Sequence, residues 1–441
     1  MDIAVYVGDL TGPGTLEDSV SQARRAADGG LGGVWAAQAL GWDSLTLLAL
    51  VGAVIPRVRL GTAVVPIPQR HPLVLAGQAL SVQAAVGGRL TLGIGSGVGV
   101  MVQGMFGLPH DRPARRMREY LSVLLPLLHG EAVEHHGETL VAVGQVQLPA
   151  LEPPQVLLAA LGPAMLRIAG ENADGAVTWM AGPRTLGQYI VPTLNRATQA
   201  AGRNSPRVVA GALVCVTDDN DSVRSRIASR YAVAGQVPEY RAVLDREGVA
   251  GPEDVAVIGD EGSVARQLQR FADAGVTELA AGPFGTPAEQ ARTMALLADL
   301  RPAGAGERQS WLSASDRAAI HELLGLHGHL ADDRRPEDLG LLLTADAVYD
   351  LSTYGLGTVE GLPAIQQLHE QRPGTQPVGH HVSNIIIDDR AHAHRTVAVR
   401  SKGIAVMADG TTGTCTYDDT VAYTDAGWRI SRRRVLGPRT D

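Results

Sequence analysis

The chain has 441 residues, 45% of them hydrophobic and 19% charged, with a formal net charge of −8. This is the composition of a folded protein long enough for two cores, and an acidic balance without a basic stripe argues against nucleic acid as a partner. The two cysteines, Cys215 and Cys415, lie outside any metal-ligand spacing and fit a reducing compartment with no disulfide framework.

The first residues, MDIAVYVGDL, read as a strand and lack the basic start of a signal peptide. No apolar run is long enough to span a bilayer. A cytoplasmic location without membrane contact is therefore expected. Leu16 to Ala27 has an apolar face at helical spacing, Gly29-Gly30 stops it, and Gly33 to Ala37 is a second strand. Asp43 is placed to cap a helix over Ser44 to Val54. A third strand, Leu60 to Val65, leads into a helix over His71 to Val86, with Pro72 just inside its start. A fourth strand, Arg89 to Gly95, ends in Gly93, Gly95, Gly97 and Gly99. Strand, helix and strand make a parallel unit whose ligands sit at the carboxyl ends of the strands. The spacing is not that of a dinucleotide fingerprint. On spacing alone a strand end where backbone passes close to backbone is favoured over a ligand site.

Residues 98–154 interrupt the rhythm with a helix over Arg115 to Leu128 and a hairpin over Glu134 to Val143, on which His135 and His136 read as exposed. Strands then follow at Val156 to Ala160, Gly175 to Trp179, Val208 to Val216 and Glu278 to Ala281. Helices are expected at 164–172, 185–201, 221–234, 262–274 and 287–300. Eight strands alternating with helices make a (β/α)8 barrel. The turn Leu161-Gly162-Pro163 opens one of these helices, and its free N–H groups suit a phosphate. RPAGAGERQS, residues 301–310, has the composition of a linker. Beyond it, helices are expected at 316–331, 337–343 and 363–371. Antiparallel strands follow at His381 to Ile387, His394 to Val406, Gly413 to Thr424 and Trp428 to Arg434. Helices first and a curved sheet after make an α+β cone with an internal pocket.

Residues 1–300 resemble the luciferase-like monooxygenase superfamily, and within it the coenzyme F420-dependent oxidoreductases. The segments that carry the resemblance are LGTAVVP at Leu60, RHPLVLAGQAL at Arg70, GGRLTLGIG at Gly87, LLAALGPAMLRIAGENADGAVTW at Leu157 and GDEGSVARQLQRFADAGVTEL at Gly259. The resemblance implies a deazaflavin or flavin at the carboxyl end of the barrel, on a cis peptide between Ala63 and Val64. Gly95, Ser96 and Gly97 would lie beside it, and the phosphate would sit on Leu161, Gly162 and Pro163. Coenzyme F420 is the cofactor expected, with FMN or none as alternatives. The sequence departs from the family where relatives carry a histidine or acid: Ala36-Ala37-Gln38-Ala39 and Ser96-Gly97-Val98-Gly99 stand there, and Ala164 replaces an arginine. Gln38 remains to orient substrate, and His71 and His110 are the titratable candidates nearby.

Residues 312–434 resemble SnoaL-like members of the nuclear transport factor 2-like superfamily, through IHELLGLHGHLADDR at Ile320, DAVYDLSTYGLGTVEGLPAI at Asp346, GHHVSN at Gly379 and WRISRRRV at Trp428. Those relatives include polyketide cyclases, isomerases, dehydratases, epoxide hydrolases and plain binding or dimerising modules. The resemblance places a catalytic pair on Asp332 and His381, with His327 and His380 as substitutes for the second histidine that relatives carry on the next strand and that Val399 to Ile404 lacks. Strand alternation admits only one of His380 and His381 to the pocket. The division expected is 1–300 barrel, 301–311 linker and 312–441 cone. The function expected is hydride transfer in the barrel, coupled to dehydration, isomerisation or cyclisation of a small molecule in the cone, in a homodimer of specialised metabolism. The rivals are a cofactor-free barrel carrying a catalytic cone, and a cone that only dimerises or holds substrate.

Overall fold

A computed structural model describes residues 1–8, 14–56, 58–149, 152–301, 312, 314–371, 377–388 and 396–437. Most of the expected linker, residues 302–311, lies outside these, as does the start of the strand expected from His394. The chain divides into two compact units, Met1–Arg308 and Gln309–Asp441.

In the first unit eight parallel strands close on themselves. They are β1 (Asp2–Val7), β2 (Gly33–Ala36), β3 (Arg59–Thr62), β4 (Leu90–Gly95), β5 (Gln155–Ala159), β6 (Gly175–Trp179), β7 (Arg207–Val216) and β8 (Glu278–Pro283). Each pairs with the next, and β8 pairs with β1 from Asp2 against Glu278 to Val5 against Ala281. Glycines make room for the large rings inside: a Cβ on Gly61 would stand 2.3 Å from the Trp35 ring, and one on Gly211 2.6 Å from Trp179. The amino end is closed by charge. Glu278, 3% exposed, accepts from Trp35 Nε1 at 2.8 Å and from Arg207 Nη2 at 2.8 Å.

Local signals set the helix starts. Thr15 and Asp18 form a capping box for Leu16–Asp28. The Asp43 carboxylate accepts from Thr46 N at 2.9 Å and caps Ser44–Val54, as the sequence predicts. Four features of this unit differ from the sequence reading. The helix expected over 185–201 contains a π-helical turn, Leu186–Ile190. The helix expected over 221–234 breaks into Asn220–Arg230 and Ala232–Gln236. A further helix, Pro238–Glu247, and a short strand, Val257–Gly259 on β7, were not foreseen.

The second unit packs the helix Ala314–Asp332 and shorter helical pieces, Pro336–Leu341 and Leu362–Glu370, with a six-stranded sheet. Its strands are β9 (Leu343–Asp350), β10 (Thr358–Glu360), β11 (Gly379–Asp388), β12 (Thr396–Val406), β13 (Thr412–Thr424) and β14 (Gly427–Leu436), in the order β10-β9-β14-β13-β12-β11. All neighbours are antiparallel except β9 and β14. Strand β9 was not predicted, and the helix expected over 337–343 is a 3-10 segment that ends before it. Among the described residues no helix is long and apolar enough to cross a membrane.

Candidate functional site

At the carboxyl end of the barrel the backbone leaves β3 through a cis peptide between Ala63 and Val64, where the family resemblance puts one. Val64 reaches over β4. A Cβ on Gly95 would lie 2.7 Å from Val64 Cγ2 and 3.1 Å from Ala159 Cβ, and one on Gly93 would lie 2.0 Å from the Thr62 carbonyl oxygen. Gly97 has φ +71°, and a Cβ there would meet Val102 Cγ2 at 2.7 Å. Of the two readings of the glycine run, close approach accounts for these three positions. Together they leave a floor of Ala63, Val64 and Gly95 at the barrel mouth. Ser96 Oγ donates to the Gly97 carbonyl at 3.2 Å.

Across the mouth, Leu161 is partly buried against the core, while Gly162 has nothing within 4 Å of an added Cβ. Pro163 begins the helix Pro163–Asn172, and no side chain caps it. Its first N–H groups are therefore available to an anion. Three aromatic residues not singled out in the sequence pack together here: Trp179, at the end of β6, is edge-on to Tyr6 at 5.6 Å and tilts against Tyr231 at 6.3 Å.

Two of the polar candidates at this mouth, Gln38 and His71, are engaged. Gln38 Oε1 accepts from Ser44 N at 2.8 Å and from Ser44 Oγ at 3.2 Å, holding the start of Ser44–Val54. His71 is the N-cap of Pro72–Ala85: its Nδ1 accepts from Leu73 N at 3.3 Å, and its Nε2 hydrogen-bonds the Val141 carbonyl at 2.8 Å. That leaves neither ring nitrogen for a substrate. His110 lies beside Gly99, with its Cδ2 3.5 Å from where a Cβ would stand. Among the described residues, no group of three or more His, Cys, Asp or Glu side chains could hold a metal ion.

The second unit brings its titratable groups together. The sequence predicts a pair of Asp332 with His381; the structure pairs Asp332 with His380. His380 Nδ1 lies 2.6 Å from Asp332 Oδ1, and the His380 backbone N–H donates to Oδ2 at 3.0 Å. The reason is strand phase. On β12 the inward residues are Val399, Ser401 and Gly403; Val382 opposes Gly403 and His380 falls two residues before it. His381 opposes Ile404 and is exposed. A register shift after Ser383, with Asn384 at φ +51°, restores an inward Ile387 opposite Val399. Gly328 lets helix and strand meet, because a Cβ there would stand 2.6 Å from the His380 carbonyl oxygen. Burial pushes the Asp332 carboxyl up, but the hydrogen bonds from His380 outweigh it and hold it below the ordinary range.

Behind His380 lies a row of rings. His327, 6% exposed, is edge-on to His380 at 6.2 Å and to Tyr417 at 5.4 Å. The Arg433 guanidinium lies over the Tyr417 ring at 4.3 Å. Arg433 is fully buried and makes a two-pronged ion pair with Asp419, Nε to Oδ1 at 2.8 Å and Nη2 to Oδ2 at 2.6 Å. Burial works against the Arg433 charge and Asp419 restores it. In the sequence the run Arg432-Arg433-Arg434 reads as a solvated strand face; the structure corrects this for Arg433, which is fully buried, and Asp419 was not singled out. Only the alternation of Asp419 with Tyr417 and of Arg433 with Val435 on their strands signals that they face inward.

Comparison with known proteins places this architecture. Residues 4–301 match the model of the luciferase-like monooxygenase family, and residues 313–434 that of the SnoaL-like domain. An uncharacterized protein of Mycobacterium tuberculosis is 32% identical over 258 residues, 53% of this chain and 75% of that one. The 5,10-methylenetetrahydromethanopterin reductase of Methanopyrus kandleri is 25% identical over 297 residues, 57% of this chain and 84% of that one. Among solved structures, an F420-dependent secondary alcohol dehydrogenase aligns with a TM-score of 0.58 at 16% identity, covering 69% of this chain and 99% of its own. The FMN-bound oxygenating component of a Pseudomonas putida diketocamphane monooxygenase aligns with a TM-score of 0.56 at 16% identity, covering 68% and 98%. At such identities the structures share the fold. The chain belongs to the luciferase-like monooxygenase family, and carries a SnoaL-like domain after its barrel.

Proposed function

We propose that the chain is a coenzyme F420-dependent oxidoreductase whose second unit performs an acid–base step on the same small organic molecule. The observation that carries the barrel half is the pairing of an apolar floor, Val64 over Gly95, with the uncapped and open turn at Gly162 across the mouth. A flat ring fits the first and an anionic tail the second. Coenzyme F420, when bound, supplies the hydride. Ala63 and Val64 would back its ring, and the N–H groups after Gly162 would take its phosphate. Gln38 and His71 are engaged elsewhere, which leaves His110, beside Gly99, as the titratable candidate at this mouth.

His380 would supply that chemistry in the second unit. Asp332 would accept a hydrogen bond from Nδ1–H and fix the tautomer, so that Nε2 carries the lone pair of a general base. We also propose a homodimer. The adjacent helices Ser44–Val54 and Pro72–Ala85 contain no charged residue, yet Leu50, Val54 and Val74 are exposed.

A second reading, a scaffold barrel without cofactor, is favoured by the structural use of Gln38 and His71. A fluorescence titration of the purified chain with oxidised coenzyme F420, and separately with FMN, decides between them. Saturable deazaflavin binding supports hydride transfer; FMN binding alone moves the barrel to flavin chemistry; binding of neither leaves the second unit as the only catalytic one.

A further inference from the structure

Hydride transfer at the barrel mouth leaves one atom of the substrate in need of a proton. Of the titratable groups foreseen there, His71 is engaged and His110 lies beside Gly99, past the end of β4. Tyr6 stands closer to the floor. Strand alternation turns Ala4 and Tyr6 of β1 into the barrel, while Ile3, Val5 and Val7 pack under the helices. Ala63, Val64 and Trp179 pack against the inner cluster that holds Tyr6, so the ring shares that cluster with the cis peptide.

The Tyr6 hydroxyl crosses the barrel. Tyr6 Cδ2 lies 4.0 Å from where a Cβ on Gly282 of β8 would stand, and Tyr6 Oη lies 2.7 Å from one on Gly211 of β7. In a closed ring of eight strands, β7 and β8 stand opposite β3 and β4. A flat ring resting on Val64 and Gly95 therefore turns its free face toward this hydroxyl. Gly211 also lines a narrow cleft, with Trp179, Met180, Leu213 and Ala256, and no charged residue belongs to its lining. Tyr6 is 3% exposed, yet its hydroxyl makes no hydrogen bond among the described residues. A buried tyrosine ordinarily spends its O–H on a partner. Burial, with Tyr240 behind it, pushes the phenol well above its ordinary value, so it is a neutral donor around pH 7. Uncharged walls exclude a carboxylate or phosphate as the acceptor, since neither would find a counter-charge. A carbonyl oxygen meets the donor without that cost.

We propose that Tyr6 is the catalytic proton donor of the barrel, its hydroxyl holding the carbonyl oxygen of an uncharged ketone whose apolar end lies in the cleft beside Trp179. This deepens the oxidoreductase reading and rests on it for the hydride. The bound deazaflavin supplies that hydride to the carbonyl carbon, the C=O electron pair moves to oxygen, and the oxygen takes the proton from Tyr6 Oη. The phenolate regains a proton from water, offset by the one released as the deazaflavin is oxidised. Ketone and reduced deazaflavin thus give alcohol and oxidised deazaflavin.

The test compares the full chain with Tyr6→Phe, which removes one oxygen atom. A hydroxyl without a partner adds nothing to the fold, so the variant is expected to melt no lower than the parent and to bind oxidised coenzyme F420 equally well. Cyclohexanone, labelled at its carbonyl carbon, is expected to bind the parent saturably with its carbonyl stretch lowered in isotope-edited infrared spectra. The shift is expected to vanish in Tyr6→Phe and to persist in His110→Ala. Pyruvate, a charged ketone, is expected to bind about tenfold more weakly or worse. With reduced coenzyme F420 in place, single-turnover reduction of cyclohexanone is expected to slow about a hundredfold in Tyr6→Phe. A lower melting temperature in Tyr6→Phe, an unshifted stretch in the parent, or a shift that survives without the hydroxyl overturns the donor, as does a shift lost in His110→Ala. Equal binding of pyruvate or an unslowed turnover overturns it too. Failure of coenzyme F420 to bind breaks the oxidoreductase reading instead. The infrared comparison is then made on the chain without cofactor, where a shift that needs the Tyr6 hydroxyl supports the carbonyl site and its absence overturns it.

Discussion

His71 in the first unit and His380 in the second each sit beside a polar group that fixes the ring, but to opposite ends. His71 gives both nitrogens to backbone, one to Leu73 and one to Val141, so its chemistry is spent on tying a helix start to a hairpin. His380 gives Nδ1 to Asp332, and no hydrogen bond from Nε2 is present among the described residues. The same contrast holds for the other polar groups. Gln38 is consumed by Ser44 at the barrel mouth, whereas in the second unit Arg433 Nη1 and Ser401 Oγ have no hydrogen-bond partner among the described residues. The difference teaches where to look for proton transfer: among polar side chains that are held in place yet keep one atom unspent. The barrel mouth, apolar and glycine-lined, suits a group that brings its own reactivity.

The sharpest way to break this comparison is to exchange the two neighbouring histidines. His380→Ala is expected to slow deuterium uptake at the methyl group of acetophenone, offered as a simple C–H acid, by about a hundredfold or more, the usual worth of a positioned general base. His381→Ala, on the outward face, is expected to leave it unchanged. The reverse result restores the pairing read from the sequence. Proton NMR of both variants checks that each is folded.

The barrel floor offers the next largest effect. Gly93→Ala drives a Cβ to within 2.0 Å of the Thr62 carbonyl oxygen, a backbone atom that cannot step aside. A loss of about 3 kcal/mol in urea unfolding is expected. Gly162→Ala meets nothing within 4 Å, at an ordinary negative φ of −98°. Its stability should stay within about 0.5 kcal/mol, while coenzyme F420 binding weakens if the turn holds the phosphate. Unchanged binding would move the phosphate elsewhere.

These two glycines also mark what was legible in the sequence. The barrel was, because apolar strands and helices alternate eight times, and the end of β4 was recognisable by its glycines. Which atoms those glycines make way for was not, since Thr62 and Val64 arrive from the neighbouring strand. Strand β9 escaped notice because Asp346 and Asp350 break its apolar pattern, and it is completed by β14, more than eighty residues later. The helix Pro238–Glu247 was missed because PEYRAVLDRE buries only Val243 and Leu244. His380 was named as a substitute and His381 as the base, because strand phase depends on a register shift at Asn384 that no local pattern announces. The capping role of His71 was readable: it stands directly before Pro72, as Asp43 stands before Ser44.

A smaller effect tests the uncharged helices. Val74→Glu places a carboxylate on an exposed apolar residue of Pro72–Ala85 that packs on nothing within its own chain strongly enough to lose stability. Sedimentation is expected to show a dimer for the parent chain and a monomer for the variant, with cofactor binding retained. A parent chain that is already monomeric removes the homodimer, and would leave these helices as an unexplained apolar surface.

The smallest expected effect lies where the first unit spends polar groups most completely. Burial pushes the Glu289 carboxyl up, but Thr217 Oγ at 2.6 Å, the Thr286 N–H at 2.7 Å and Arg226 at 3.2 Å outweigh it and hold the group at about 2. The folded value lies below the unfolded one, so the carboxylate's contribution is fully present above about pH 4.5 and fades as pH falls toward 2. Glu289→Gln is therefore expected to melt lower than the parent at neutral pH, with the gap closing on acidification through that window. Melting curves between pH 7 and pH 3 check it, and a gap independent of pH would mean that the side chain serves only as a neutral helix cap. No such acid limb is expected of Gln38→Ala at the barrel mouth, because an amide does not titrate in this range, so the pH profile itself distinguishes charge spent on the scaffold from hydrogen bonds spent on it.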